Sequence, residues 1–248
     1  KRQKSTSALD VLTMNVKDFC NVLVGVCNVP NLEQILLEFS PSGMMIYGKP
    51  IESPVVVMSF WNTSMFATYH CTQSIRKWVS RDRMEILRKK IVKDVASLTI
   101  RELVGASDGF QFSGMRVYTT GGTCQFTFNV FEWVSTVEPV AMNLCYDWHV
   151  HTSSQKLHNN IDFIDDKSEF VSMTLSGRTL SFEGINDTGM VSEQISHETG
   201  ESDIHAEFNS LFYKRYLKIV TGAQFLHKTV TISFNPDESD RVYPVLFS

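Results

Sequence analysis

The chain has no Cys-x-x-Cys pair, no glycine-rich phosphate loop, no paired-carboxylate motif and no apolar run long enough to cross a bilayer. Each absence excludes something. Its five cysteines, Cys20, Cys27, Cys71, Cys124 and Cys145, are odd in number and irregularly spaced. That fits reduced thiols in an intracellular protein rather than a disulfide framework or a zinc site. The sequons Asn62-Thr63-Ser64 and Asn186-Asp187-Thr188 are then incidental. With no membrane-length segment and no signal-peptide pattern, no membrane role is expected. Without a phosphate loop, P-loop nucleotide chemistry has no seat. Charge of one sign is not in excess either: 23 Lys and Arg stand against 27 Asp and Glu, a net charge of −4. This argues against a protein that coats nucleic acid with its whole surface, and leaves a local basic patch open.

What is present is a 248-residue chain with 43% hydrophobic and 20% charged residues, a globular composition with room for one large or two ordinary domains. It begins at Lys1 rather than Met and stops within a strand pattern at Ser248, so both ends are expected to be trimmed. Lys1-Arg2-Gln3-Lys4-Ser5 reads as a loose basic tail.

A repeated plan runs along the chain. The first helix is predicted from an Asn15 cap to about Asn28, with Val16, Phe19, Cys20, Leu23 and Cys27 on one face. Hairpin strands Gln34–Phe39 and Met44–Tyr47 follow around a Pro-Ser-Gly turn, then Val55–Phe60 and Met65–Cys71 as a second pair. A second helix, Arg81–Ile91, places Met84, Leu87 and Ile91 in register. Strands Ser97–Leu103, Gly109–Gly114, Met115–Thr120 and Thr123–Phe131 come next, the last after the Gly121-Gly122 turn. Val134–Asp147, with Val140, Met142 and Leu144 at alternating positions, reads as an extended connector.

The plan then restarts. His149–His151 is a short strand, and Ser153 caps a third helix with Leu157, Ile161 and Ile164 on one face. A hairpin, Phe170–Leu175 and Arg178–Glu183, is followed by strands Met190–Ser196 and Ile204–Asn209. A fourth helix, about Phe212–Gly222, buries Tyr213, Tyr216, Leu217 and Val220. Strands Thr229–Phe234 and Tyr243–Phe247 end the chain. The expected domains are 1–133 and 148–248, joined by the connector 134–147.

The segment Arg215-Tyr216-Leu217-Lys218-Ile219-Val220-Thr221-Gly222-Ala223, with Thr229-Val230-Thr231-Ile232-Ser233 after it, resembles the last helix and following strand of the sliding clamp family of proliferating cell nuclear antigen. Phe170–Gly184 is similar to that family's hairpin after its third helix, Gln125–Glu132 to the strand closing its first domain, and Val134–Asp147 stands where it has its interdomain connector. As architecture the resemblance spans nearly the whole chain; as sequence it is confined to the last third. The diverged first half points to an unusual eukaryotic lineage or a large DNA virus. The resemblance implies an α+β DNA clamp fold of two similar domains, each with two helices packed on antiparallel sheets. It implies a homotrimeric ring closed around duplex DNA by two edge strands, near Thr123–Phe131 and Met190–Ser196. It also implies a DNA polymerase and other clients docking through short peptides, no catalysis and no cofactor. The expected location is the nucleus or a viral replication compartment in the cytoplasm. A subunit of a heterotrimeric checkpoint-type clamp is the near alternative.

Under that resemblance the helix cations Lys17, Arg81, Arg83, Arg88, Lys89, Lys90, Lys93, Lys156, Lys214, Arg215 and Lys218 would face DNA, with Arg76 and Lys77 adding charge beside the second helix. Lys and Arg on phosphates give affinity without sequence reading, as a sliding ring requires. Cations on amphipathic surface helices equally suit plain solvation. Val140, Met142 and Leu144, with Met44 or Ile46 and Pro244, would floor the client-peptide groove, or serve as ordinary core. His149-Val150-His151 places two imidazoles on one strand face, but no further ligand is spaced nearby, so a structural role is expected and no metal. A two-domain α+β enzyme using Cys145 and His149 is the rival of a different class, although neither a glycine elbow nor a helix N-terminus supports a thiol nucleophile there.

Overall fold

The computed structural model describes residues 8–13, 15–50, 56–91, 95–105, 108–135, 148–164, 167–176, 179–185, 190–194, 207–222, 228–234 and 246–247. The chain divides into two compact units, Lys1–Val140 and Ala141–Ser248. Apart from Val134 and Ser135, the expected connector 134–147 lies outside the described residues, as does the basic tail.

The first unit holds β1 (Leu9–Thr13), α1 (Val16–Cys27), β2 (Gln34–Ser40), β3 (Gly43–Gly48), β4 (Val57–Asn62), β5 (Thr68–Cys71), β6 (Ile75–Ser80), α2 (Arg81–Ile91), β7 (Val95–Leu103), β8 (Gly109–Val117) and β9 (Thr123–Phe131). Two sheets result, in the orders β5-β1-β7-β8-β9 and β4-β3-β2-β6. The second unit holds β10 (Trp148–Ser153), α3 (Ser154–Phe163), β11 (Phe170–Ser176), β12 (Thr179–Gly184), β13 (Met190–Gln194), β14 (Glu207–Tyr213), α4 (Lys214–Gly222), β15 (Thr229–Phe234) and β16 (Leu246–Phe247). Its sheets run β13-β12-β11-β14 and β10-β15-β16. The four-stranded sheets thus share one topology, strand for strand, and β10-β15-β16 repeats β1-β7-β8. In each unit two helices pack against each other, α1 on α2 and α3 on α4.

The helices form where their apolar residues recur at helical spacing and a cap starts them. Asn15 accepts the Asp18 amide with its side chain, and Val16, Phe19, Cys20, Leu23 and Cys27 are buried as expected. Ser153 accepts the Lys156 amide, and Leu157, Ile161 and Ile164 are buried. In the second unit these meet Val171, Met173 and Leu175 of β11, Leu180 and Phe182 of β12, Leu217 of α4 and Ile232 of β15 in one core. Each such side chain contributes roughly 1.5–3 kcal/mol by leaving water. In the first unit, Phe39 of β2 packs on Phe110 of β8 at 5.1 Å, and Phe19 of α1 meets Trp61 of β4 edge-on at 6.1 Å.

Several expectations change. Two strands were not foreseen. One is β1, whose burial alternates. The other is β6, which places Arg76 and Lys77, expected beside the second helix, in a sheet. Val55–Phe60 and Met65–Cys71 do not pair with each other: β4 joins β3, while β5 crosses a short 3-10 turn, Thr63–Met65, to pair with β1. Met115 and its neighbours continue β8 rather than starting a new strand. Tyr213 ends β14 instead of lying on the fourth helix. The β2–β3 turn needs Gly43, whose φ is +151° and where a Cβ would sit 2.1 Å from the Trp61 carbonyl oxygen.

Candidate nucleic-acid interface

The positive charge gathers on the second helix of each unit. The α2 sequence carries Arg81, Arg83, Arg88, Lys89 and Lys90 against Asp82 and Glu85. The α4 sequence carries Lys214, Arg215 and Lys218 with no carboxylate. By contrast α1 has Lys17 beside Asp18, and α3 has Lys156 with Asp162. Both lysines are exposed.

These cations divide into two groups by what they touch. The first group closes helix ends. Arg81, the first residue of α2, donates through Nε and Nη2 to the carbonyl of Cys27, the last residue of α1, at 3.0 and 2.8 Å. Lys214, the first residue of α4, donates through Nζ to the carbonyl of Ile164, the C-cap of α3, and is only 4% exposed. The second unit therefore repeats the first: the leading cation of the second helix satisfies a carbonyl at the negative end of the first. Arg116 of β8 does the same for α2, donating to the Lys90 carbonyl. Arg88 is also engaged, in a two-pronged pair with Glu85 whose Nε–Oε2 distance is 2.6 Å. The hydrogen bonds from Arg88 hold the Glu85 carboxyl below its ordinary range and raise the guanidinium. Lys214 is thus a buried end-cap, which corrects its expected place among exposed contacts, and Arg81 is half-buried in the same work.

The second group faces outward. Arg83 lies over the Phe128 ring of β9 at 4.7 Å and donates to the Asn129 carbonyl at 3.1 Å, with Lys90 over the same ring at 5.7 Å. Lys89 keeps 68% of its side-chain surface and pairs loosely with Glu85 at 3.6 Å. Arg215 is exposed and stacks on Tyr213 and Tyr216 at 5.0 and 4.9 Å. Lys218 sits 3.9 Å from Asp162, which also meets His158 at 3.1 Å. Stacked guanidiniums of this kind keep their charge while losing side-chain freedom, a suitable preparation for phosphate. Lys93 lies outside the described residues.

Off the helices, Arg76 pairs with Glu38 at 2.8 Å across the sheet. Lys77 points inward at 7% exposure and pairs with Glu102 at 3.2 Å. Met44 and Ile46 are fully buried in the first unit's core, so neither floors a surface groove. Val140, Met142, Leu144 and Pro244 lie outside the described residues, as does Cys145. The apolar surface that β4 does expose, Met58 and Phe60, alternates along the strand and was overlooked in the sequence. His149 and His151 are engaged through Nδ1 with Ser233 Oγ and Thr231 Oγ1. Among the described residues no group of three or more potential metal ligands occurs, and no helix is long and apolar enough to cross a membrane. Of the two strands expected at subunit contacts, β9 stands last in its sheet in the first unit and β13 in the second, among the described residues.

No protein-family profile and no curated protein matches the chain. Solved structures do. Proliferating cellular nuclear antigen from Entamoeba histolytica superposes with a TM-score of 0.72 at 13% identity, over 98% of this chain and 93% of that one. A PCNA2–PCNA3 complex from Sulfolobus tokodaii gives 0.70 at 17% identity, over 91% and 89%. Likeness at this identity defines the fold, and the chain has the α+β clamp fold of proliferating cell nuclear antigen.

Proposed function

We propose that the chain is a DNA sliding clamp: one subunit of a homotrimeric ring that encircles duplex DNA without reading its sequence. Such a ring tethers a DNA polymerase and other clients through short peptides docked at the connector 134–147. In this reading the protein does no chemistry of its own. The observation that carries it is the outward cation set on equivalent helices of the two units, Arg83, Lys89 and Lys90 on α2 and Arg215 and Lys218 on α4. None of these is built into the core, and Lys and Arg facing phosphates bind any sequence equally. The near alternative, one subunit of a heterotrimeric ring, draws support from the fold likeness to a complex of two different clamp chains. The enzyme reading rests on Cys145, which lies outside the described residues.

The test reverses R83E, K89E, K90E, R215E and K218E together. The variant is expected to fold, because none of these residues is buried, and to lose polymerase processivity on a clamp-loaded template. The slope of log affinity for duplex against log salt should flatten by about 0.9 for each phosphate no longer neutralised. A folded, assembled variant with full processivity and an unaltered slope would reduce these cations to a solvated surface.

A further inference from the structure

We propose that His149 and His151 form a chelating site for a divalent transition-metal ion of the zinc, nickel and copper class on the outer face of the sheet β10-β15-β16. The two residues are separated by Val150 and so share one face of β10, which among the described residues pairs with β15. Val150 and its cross-strand partner Ile232 point the other way, into the core of the second unit. Both histidines are exposed.

Their hydrogen bonds are alike. His149 stands directly opposite Ser233 and His151 opposite Thr231. The Nδ1 atoms lie 2.9 Å from Ser233 Oγ and 3.0 Å from Thr231 Oγ1. When Nδ1 carries the proton and donates it to the hydroxyl, Nε2 carries the lone pair. A carboxylate, backbone carbonyl or water on the distal ring nitrogen is the usual orienting partner of a metal-bound imidazole, and a hydroxyl oxygen can accept the same proton. Here two neighbouring imidazoles have the same arrangement on the same strand. The strand rise puts their backbones about 6.6 Å apart. A single ion held by both rings, 2.0–2.1 Å from each nitrogen, requires the two Nε2 atoms to lie within roughly 4 Å of each other. Two imidazoles suit zinc, copper and nickel, with water completing the shell.

Calorimetric titration of the full chain with zinc chloride, repeated with nickel chloride, tests the site. One ion per chain is expected, with a rise in melting temperature as metal is added and selective broadening of the His149 and His151 ring signals by nickel. H149N and H151N put an amide where Nδ1 was and keep a partner for each hydroxyl, but have no Nε2. Each single change should weaken binding at least tenfold, and the pair should abolish it while the metal-free protein melts as before. Zinc bound equally well by the double variant would overturn the proposal. So would a nickel–thiolate absorption band in place of imidazole broadening, or wild-type protein whose heat and melting temperature do not respond at millimolar metal.

Discussion

Lysine shows how far one residue type can diverge in role. Lys214 and Lys218 lie one turn apart on α4, yet Lys214 is buried on the Ile164 carbonyl while Lys218 faces outward near Asp162. Their charge was legible in the sequence. Their direction was not, because a cation at the first position of a helix reads the same whether it meets solvent or reaches back to close a neighbour. Lys77 was misread for a related reason: it fills an inward position of β6 where alternation calls for an apolar side chain. The thiols of Cys20 and Cys27, free and buried on α1, give a pH prediction. Burial pushes Cys20 up to about 11 and Cys27 up to about 12. Below pH about 9 both are protonated whether the chain is folded or not, so their contribution to stability is fully present. As pH rises from there toward 12 the unfolded chain releases these protons first, and stability falls, each thiol adding up to about 1.4 kcal/mol per pH unit to the slope. Urea unfolding between neutral and alkaline pH should therefore show a shallower alkaline decline for C20A/C27A than for wild type. Parallel declines would show that these thiols do not govern it.

The four helices were placed to within about a residue at most ends, since a 3.6-residue apolar period and a capping side chain are both local signals. Strands fared less well. The hairpins β2–β3, β8–β9 and β11–β12 were legible from their turns. The separation of β4 from β5 was not, because consecutive strands usually pair and nothing local says that β5 crosses to β1. The helix-end contacts belong to this scale too. K214M keeps most of the apolar stem and removes the donor, leaving the Ile164 carbonyl without its cation. Chemical denaturation should show a loss of roughly 1.5–3 kcal/mol, the value of a hydrogen bond to a charged group, while K218M at the exposed position changes stability by less than about 1 kcal/mol. Equal effects from the two would mean that the α3 end is satisfied some other way.

The duplication of sheet order was foreseen as a repeated plan, and the fold bears out a clamp. Of the residues expected to floor a client groove, Met44 and Ile46 are core, and the others fall outside the described residues. The assembly prediction rests on the two edges. Among the described residues β9 and β13 each pair on one side only, an edge that invites a partner strand, and light scattering at micromolar concentration should give three times the 28.2 kDa chain mass. A monomer at every concentration would remove the ring while leaving the fold intact. The strands β9 and β13 are unlike in length, nine residues against five, and they belong to different units. Copies joined β9 to β13 therefore meet head to tail and share a single rotation axis, with no two-fold axis perpendicular to it. The two faces of such a ring are chemically different surfaces. Whatever docks on one has no equivalent seat on the other, so the ring would carry a direction along the duplex even though its contacts with phosphate carry none.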